Sequence, residues 1–283
     1  MTINCLGQLI DLSKPKVMGI LNITPNSFYD GGKYATEKEV LVQAEKLLSE
    51  GATFLDIGAY SSRPNAELVS EDEERSRLLP VVSAVLKQFP DTLISVDTFR
   101  SAVAKAAIEN GAAIINDISA GNLDERMLQV IADHNVPYIM MHMRGTPQTM
   151  QSLTQYKNIV KEMLFYFSQK VAKARHFKIN DLIIDPGFGF AKTLEQNYEV
   201  LQLLALFQFL ELPILVGVSR KSMVYKPFDS SASEALNGTT VANTIALTKG
   251  ANILRVHDVK QAVEAVKIFN MTTDGGRAHS SRL

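Results

Sequence analysis

The chain has 283 residues, of which 46% are hydrophobic and 21% charged, so it can build a sizeable core and lacks the composition of a disordered protein. Its formal net charge of −1 excludes a whole-chain preference for nucleic acid or an anionic membrane, and any basic site must be local. The single cysteine, Cys5, excludes an intrachain disulfide and any multi-cysteine metal site.

Neither the N-terminus nor the most apolar segment indicates a membrane or secretory destination. Residues 1–14 lack a basic region followed by an apolar one, so they do not form a secretory signal. Residues 201–212 are too few to span a bilayer and include Gln202, Gln208 and Glu211. These features predict a soluble cytoplasmic protein that does not bind membranes or nucleic acid.

Short apolar runs alternate with helical patterns along the chain. The predicted strands are 16–21, 53–57, 92–96, 113–115, 138–141, 182–185, 214–218 and 253–256. The predicted helices are 36–50, 70–87, 101–110, 124–134, 159–177, 195–211, 231–249 and 258–271. Eight strands separated by helices favour an α/β fold of the closed (β/α)8 TIM-barrel type over an open flavodoxin-like sheet. We expect a single domain over residues 1–283, with a frayed tail at 272–283.

Two of the predicted helices carry further information. Ser70 and Glu73 have capping-box spacing, and we interpret the acidic residues that follow as a solvent-exposed face. The helix at 195–211 is apolar almost all round, so it cannot bury every apolar side chain against one sheet. We therefore predict a homodimer contact through this helix and later helices.

Polar residues follow the apolar strands at their carboxyl ends, which meet at one mouth in a parallel barrel. These residues are Asn22, Arg63, Asp97, Asn116, His142, Asp185, Lys221, Arg255 and His257. Taken alone, Asp97 or Asp185 is equally consistent with capping a turn or pairing with a lysine. Together with Asn116 they form an acceptor-rich floor, which suits a ligand that presents N–H donors, such as an aminated heterocycle.

Basic residues follow the last two strands, where this architecture usually binds anions. Lys221 and Arg255 occupy those positions, whereas we interpret Arg220 as surface charge. Asn22, Ser62, Arg63 and His257 would complete a rim for phosphate oxygens, with the arginine as a planar fork.

The residue types argue against a transition-metal site and for an aromatic substrate. No second ligand at metal spacing accompanies His142, which we expect to pack near the mouth. Mg²⁺ held by Asn22 or Asp30 together with phosphate is the favoured metal, because Mg²⁺ needs few protein oxygens. Phe28, Phe188 and Phe190 lie in glycine-flanked loops and predict an aromatic slot. No Gly-x-Gly-x-x-Gly turn or Walker loop is present, since the 187–189 pair lacks a third glycine.

From Gly19 to Asp258 the chain resembles the dihydropteroate synthases, transferases of folate biosynthesis that join a pterin to p-aminobenzoate and are sulfonamide targets. The resemblance rests on separate motifs in the same order. They are Asn22-Ile23-Thr24-Pro25 with Ser27-Phe28 and Asp30-Gly31-Gly32, Ser61-Ser62-Arg63-Pro64, Ser95-Val96-Asp97-Thr98, Asn116-Asp117-Ile118, Met141-His142-Met143, Asp185-Pro186-Gly187-Phe188-Gly189-Phe190, Ser219-Arg220-Lys221 and Arg255-Val256-His257-Asp258.

The resemblance implies a role for each matched position. The catalytic residues would be Asp97, Asp185, Lys221, Arg255 and Asp30. The pterin would contact Asp97, Asn116, Met140, Asp185, Gly217, Lys221 and Arg255. The pyrophosphate would contact Asn22, Ser62, Arg63, Arg255 and His257, with Mg²⁺ on Asn22. The p-aminobenzoate would contact Phe28, Ser62, Pro64, Phe190, Ser219 and Lys221.

Three positions depart from the family pattern. Asn26 and Ser62 stand where Asp and Thr are usual, and Tyr60 replaces a glutamate. Ser62 keeps a hydroxyl, so the phosphate contact is retained in principle. These changes bear on substrate affinity and the response to sulfonamides more than on the reaction.

Two alternatives share part of this pattern. A methyltransferase domain that binds a reduced folate would share the Asp and Asn floor but would not need the Phe28 loop or the arylamine wall at Ser219. A pterin-binding protein without catalysis finds its only support in Asn26 and Tyr60. A turnover assay separates these possibilities.

Overall fold

The structure is a computed structural model that describes residues 1–23, 37–60 and 69–280, the last seven for their backbone alone. All eight predicted strands form and run parallel, and a short antiparallel hairpin precedes them. The hairpin consists of β1 (Thr2–Cys5) and β2 (Gln8–Asp11). The parallel strands are β3 (Lys16–Asn22), β4 (Phe54–Gly58), β5 (Leu93–Asp97), β6 (Ile114–Asp117), β7 (Tyr138–Met141), β8 (Leu182–Asp185), β9 (Leu215–Val216) and β10 (Ile253–Val256).

Helices alternate with these strands, as the sequence predicts. They are α1 (Glu37–Ser49), α2 (Glu71–Gln88), α3 (Ser101–Glu109), α4 (Met127–His134), α5 (Ile159–His176), α6 (Leu194–Gln202), α7 (Leu236–Thr248) and α8 (Val259–Ser280). Ser70 caps α2 by accepting the backbone N–H of Glu73, and Thr193 and Gln196 form a capping box on α6. No helix in the described ranges has the length and apolarity needed to cross a membrane.

The strand order β8-β7-β6-β5-β4-β3-β10-β9 makes an eight-stranded parallel sheet that curls into a nearly closed barrel. A single parallel bridge between Ile184 and Ile214 brings its two edge strands together. The barrel prediction is therefore confirmed, and an open doubly wound sheet is excluded. Because side chains alternate along a strand, one set faces the helices and the other faces the barrel interior.

The two sets pack into separate cores. The larger lies between barrel and helices and includes Leu55, Ile115 and Ile184. The smaller fills the amino-terminal end of the barrel with one inward residue from each strand and is covered by the hairpin. Its members are Ile3, Cys5, Ile10, Leu12, Met18, Phe54, Leu93, Ala113, Ile114, Ile139, Ile183, Leu215 and Ile253. The sequence reasoning left this hairpin out, because residues 1–14 show only a weak strand pattern.

Two predicted helices differ from the structure. The 195–211 segment is α-helical only to Gln202, and a 3-10 helix continues over Leu204–Leu210. In that tighter turn Leu204 and Phe207 are buried and Phe209 is 82% exposed, so part of the apolar surface is uncovered as expected. The segment 231–249 is α-helical only from Leu236.

The remaining differences concern α2 and the chain end. Glu74 of α2 is fully buried and paired with Arg100, which contradicts the prediction that all acidic residues there face solvent. A buried carboxylate requires such a partner. The last helix ends at Ser280 rather than near Met271. Fraying of the tail stays a prediction.

Candidate active site

The carboxyl ends of the strands bring charged and polar side chains to the barrel interior. On β4, β6, β8 and β10 these residues come two positions after an apolar interior residue, and therefore point to the same side. They are Asp56, Asn116, Asp185 and Arg255. The strand register places Asp97 of β5 directly beside Asn116. The barrel thus gathers at one mouth residues that the sequence separates by up to 199 positions.

Arg255 holds two carboxylates at once. Its Nε lies 2.5 Å from Asp56 Oδ2, and one terminal nitrogen lies 2.8 Å from Asp97 Oδ2. Asp56 is fully buried, whereas the side chains of Asp97 and Arg255 are 17% and 18% exposed. Two such bonds fix the plane of the guanidinium, so its face is presented in one orientation to any ligand.

Asp56 is a site residue that the sequence reasoning missed. Besides Arg255 it accepts hydrogen bonds from Ser95 Oγ at 2.6 Å and from Asn116 Nδ2 at 3.2 Å. It therefore orients both the arginine and the amide of the predicted floor. The available signal was a carboxylate inside the apolar run of β4, since a buried charge almost always has a partner.

Asp97 lies where its protonation state is sensitive to a ligand. Burial raises the pKa of its carboxyl to about 7, although the neighbouring Arg255 favours the charged form and opposes the shift. Burial also raises the pKa of Asp185, with Lys221 opposing. Both carboxylates would be stabilised by a ligand that brings N–H donors or positive charge.

Lys221 and the loop after β8 form the other side of the mouth. Lys221 Nζ donates to the Phe188 carbonyl at 2.6 Å and lies 4.9 Å from the centre of the Phe190 ring. A Cβ at Gly217 would lie 3.9 Å from Lys221 Nζ and from Arg255 Cβ, so this glycine lies beside both residues. Burial lowers the pKa of Lys221 to about 8, against the attraction of Asp185.

Ser219 and His257 form a polar pair beside the cations. Ser219 Oγ accepts the backbone N–H of His257 at 3.1 Å and lies 3.0 Å from its Nδ1. Because the hydroxyl accepts the backbone proton, its own proton is free to be donated to Nδ1. A neutral His257 then carries its proton on Nε2 and can donate it to an anion.

Asn22 ends β3 and pairs in register with Gly58. It lies on the same side of its strand as Met18, four residues earlier, and therefore on the interior side. Its side chain is half-buried. A Cβ added at Gly58 would approach the Cβ of Asp97 to 3.3 Å, so Asn22 belongs to the same mouth.

Two predicted site residues are placed elsewhere. Met140 packs in the core between barrel and helices, which contradicts its predicted place in the pocket. The reason is the two-residue period: Met141, which pairs with Asp185, has the interior phase and packs with Tyr60 and Ile118. Phe188 is fully buried in the helix-side core, so it does not form the predicted aromatic slot, whereas Phe190 is partly exposed.

Other predictions of the sequence analysis fall outside the described residues. These are Asn26, Phe28, Asp30, Ser62, Arg63 and Pro64. Tyr60, the departure from the family pattern, is described: it is buried and packs edge-on against Phe99, with ring centres 5.1 Å apart. His142 is buried as expected, with its Nδ1 3.1 Å from Lys192 Nζ.

Comparison with known proteins agrees with this geometry. The family model described as pterin binding enzyme matches residues 18–257. The dihydropteroate synthase of Escherichia coli K12 is 42% identical over 268 residues, which cover 94% of each chain. The Yersinia pestis dihydropteroate synthase, solved with a sulfonamide drug, aligns with a TM-score of 0.91 at 41% identity and covers 97% of this chain and 100% of that one. The Xanthomonas albilineans enzyme in complex with 7,8-dihydropteroate aligns with a TM-score of 0.87 at 33% identity and covers 96% and 99%.

The barrel, its charged mouth and the matching family model together define a pterin-binding enzyme. Within that class the chain belongs to the dihydropteroate synthase family, whose members are transferases of folate biosynthesis.

Proposed function

We propose that the mouth of this barrel condenses 6-hydroxymethyl-7,8-dihydropterin pyrophosphate with p-aminobenzoate, releasing pyrophosphate and forming 7,8-dihydropteroate. The observation that carries the proposal is the charge cluster at the barrel mouth, where Arg255 pairs with Asp56 and Asp97 and where Lys221 attracts Asp185. Acids suit the N–H groups of an aminated pterin, and bases suit the departing anion.

The floor residues divide the pterin between them. Asp97 and Asp185 accept its N–H donors, Asn116 offers an amide turned by Asp56, and Lys221 donates to a ring acceptor. The fixed guanidinium of Arg255 stacks on the ring face. Gly217 lies beside Lys221 and Arg255, and Met141 replaces Met140 as the methionine at this wall.

The negative charges of the floor would accelerate the departure of pyrophosphate. Departure of pyrophosphate leaves a methylene cation delocalised into the pterin ring, and the carboxylates of Asp97 and Asp185 at the mouth would stabilise its positive charge. Such fixed charges in a buried site are typically worth 10²–10³-fold in rate. The arylamine nitrogen then attacks the methylene carbon, and the new C–N bond replaces the C–O bond to pyrophosphate. The nitrogen releases one proton to the solvent or the departing pyrophosphate, and the step needs little beyond correct placement. Phe190, Ser219 and Lys221 form the described part of the wall that would place it.

The chemistry of Asn22 fits a magnesium ion at the phosphate end. Its amide oxygen is a hard donor on the interior side of β3, and Mg²⁺ takes few protein ligands when phosphate oxygens and water complete its shell. Among the described residues no group of three His, Cys, Asp or Glu side chains is arranged to hold a metal. When bound, Mg²⁺ would neutralise charge on the pyrophosphate oxygens, while His257 donates to them from Nε2.

The proposal is tested by incubating the purified chain with the pterin pyrophosphate, p-aminobenzoate and Mg²⁺. We expect pyrophosphate and dihydropteroate in equal amounts, and only when both substrates are present. Pyrophosphate release without the arylamine would indicate hydrolysis instead of condensation. Tight pterin binding without turnover would identify the chain as a non-catalytic pterin-binding protein. The cytoplasmic location stays a prediction.

We propose that the chain is a homodimer through α7, α8 and the 3-10 helix at Leu204–Leu210. These elements adjoin, because Gln208 donates to the Lys249 carbonyl at 3.0 Å and α7 packs on α8. They expose large apolar side chains, namely Phe209, Leu236, Val241, Ile245, Ile268 and Met271. An uncovered apolar face of this kind favours association.

Sedimentation at micromolar concentration checks the dimer. We expect a mass near twice that of the chain, and a monomer for Val241→Glu. The matched control is Phe165→Glu on α5, an apolar residue that is 64% exposed and lies outside the proposed face. A monomeric wild type, or a dimer unaffected by Val241→Glu, would contradict the proposed interface.

A further inference from the structure

Lys192 is a buried lysine that the reaction described above does not use. It follows the loop after β8 and is only 6% exposed. Its Nζ lies 2.8 Å from the Gly187 carbonyl, 3.0 Å from the Phe190 carbonyl and 3.1 Å from His142 Nδ1. An ammonium has three N–H donors, and this site offers three acceptors.

The loop that Lys192 binds carries the catalytic side of the mouth. The Gly187 N–H donates to Asp185 Oδ1 at 2.8 Å, and the Phe188 carbonyl accepts Lys221 Nζ at 2.6 Å. Two lysines therefore hold one short loop, Lys221 at Phe188 and Lys192 at Gly187 and Phe190. A shift of the Gly187 peptide would move the hydrogen bond that orients Asp185.

The loop ends in a backbone conformation that its own residue disfavours. Gly187 and Gly189 have φ values of +67° and +81°, which glycine adopts without steric cost, whereas Ala191 has a φ of +48° and pays roughly 1 kcal/mol or more for its Cβ. A Cβ at Gly187 would collide with the His142 carbonyl oxygen. Such a conformation persists only when its surroundings determine it, and the inward carbonyls of 187 and 190 find their donor in Lys192.

The partner of Lys192 is itself fixed. His142 packs edge-on against Tyr166, with ring centres 4.9 Å apart, and the Tyr166 hydroxyl lies 3.2 Å from the Met141 carbonyl. Burial lowers the pKa of His142 to about 2, with Lys192 and Arg144 adding to the shift. The ring is therefore neutral, and its Nδ1 accepts a hydrogen bond from Lys192 Nζ.

We propose that Lys192, supported by His142, is a positioning residue that holds the loop at 187–190 so that Asp185 and Lys221 meet the pterin. It does not touch the reacting atoms. The role deepens the proposed synthase function and rests on it, because the loop matters only if Asp185 and Lys221 bind the pterin.

The test compares variants that keep or remove the donors. Lys192→Met keeps a long side chain and removes all its N–H groups, whereas the Lys192→Gln side chain retains two. We measure kcat/KM at 25 °C, the Kd for 6-hydroxymethylpterin and the melting temperature. We expect kcat/KM to fall about 10- to 100-fold in Lys192→Met, in line with the cost of small misplacements in active sites, and less in Lys192→Gln. The Kd for 6-hydroxymethylpterin should rise more in Lys192→Met than in Lys192→Gln.

Lys170→Met is the matched control. Lys170 is also partly buried, and its Nζ donates to Asn122 Oδ1 at 2.5 Å and lies 5.7 Å from the Tyr166 ring centre, so it shares the α5 side of the cluster without reaching the loop. Its kcat/KM should stay within twofold of wild type. A folded Lys192→Met with unchanged kcat/KM and pterin Kd overturns the proposal, even if its melting temperature falls.

Two further outcomes are informative. If Lys192→Met does not fold, the comparison passes to Lys192→Gln, where a pterin Kd raised at least threefold supports the role and an unchanged Kd refutes it. Synthase activity of the wild type is measured first in the same assay. Its absence would refute the proposed function, whereas an active wild type with unaffected variants would refute the role of Lys192 alone.

Discussion

On strand β8 the interior side chain changes from Ile183 to Asp185 within two residues, which is roughly 6–7 Å along a strand. The same change occurs on β4 between Phe54 and Asp56, and on β10 between Ile253 and Arg255. The first residue of each pair lies at the amino end and packs in an apolar core under the hairpin. The second lies at the carboxyl end and belongs to the charged mouth.

The two ends differ in what their side chains do for the fold. The amino-end residues are fully buried and gain the hydrophobic effect, whereas burial raises the pKa values of Asp97 and Asp185 and so opposes their charged forms. One end therefore stabilises the barrel, and the other carries charge that the fold must hold in place. We expect substitutions at the two ends to separate stability from activity.

The largest effect is expected for Phe54→Ala at the amino end. Phe54 is fully buried, and removing an aromatic side chain from a core costs about 3–5 kcal/mol of the free energy of unfolding. Urea unfolding measures this loss. The folded variant should keep kcat within about threefold of wild type, because the interior charges of β4 begin only at Asp56.

Leu9→Ala is the control for Phe54→Ala. Leu9 lies on the hairpin but is 71% exposed, so its loss should change the free energy of unfolding by less than about 0.5 kcal/mol. If Phe54→Ala abolished catalysis at full stability, the separation of the two ends would be wrong.

Asp185→Ala should have the next largest effect, and on activity. Turnover should fall about 100-fold or more, equivalent to about 2.7 kcal/mol of transition-state stabilisation. The urea midpoint should change little, because the buried carboxyl has a raised pKa and its charge costs free energy in the folded state. Steady-state kinetics with both substrates makes the measurement.

Asp181→Ala is the matched control at the opposite end of the same strand. Asp181 Oδ2 accepts the N–H of Asn4 in the hairpin at 3.0 Å. We expect a small loss of stability and unchanged turnover. An unchanged rate in Asp185→Ala would contradict its role in the reaction.

Much of this architecture was predictable from local pattern. Apolar runs such as Ile183-Ile184 that end at a carboxylate and a Pro-Gly turn identify both the strands and the end that faces the site. Asp97, Asn116, Asp185, Lys221 and Arg255 follow from that rule, since parallel strands all end on one face.

What escaped prediction depends on contacts between distant residues. Asp56 lies inside its strand and becomes a site residue only because Arg255 reaches it across the barrel. Lys192 reads as an ordinary surface lysine until the loop after β8 folds around it. The error at Met140 was one of phase, because a run of two methionines does not show which one faces the interior.

Asp56→Asn should affect both stability and activity, by smaller amounts. An amide can accept from Ser95 or face Arg255, but it cannot replace the carboxylate toward both. We expect a loss of about 1–3 kcal/mol in the free energy of unfolding, and roughly tenfold in kcat/KM as Arg255 loses one of its two anchors. Ser95→Ala keeps the ion pair and should lower kcat/KM less; equal effects would assign the role to the hydrogen-bond network instead of the charge.

The smallest effect is expected from pH. The raised pKa of Asp97, about 7, means that acid protonates it, which removes its charge toward Arg255 and turns one of its two acceptor oxygens into a donor. The lowered pKa of Lys221, about 8, means that alkali removes its positive charge. Affinity for 6-hydroxymethylpterin should therefore peak between these values and fall roughly threefold to tenfold one pH unit beyond either.

Titration of the pterin Kd from pH 5.5 to 9.5 measures both limbs. Lys221→Arg should remove the part of the alkaline limb that Lys221 causes, because a guanidinium stays protonated, while leaving the acid limb in place. Burial also lowers the pKa of Lys192 to about 7, so loss of its charge contributes to the part that remains. If the pterin Kd stayed constant down to pH 5.5, Asp97 would have no raised pKa, and the contrast between the two ends would be lost at that residue.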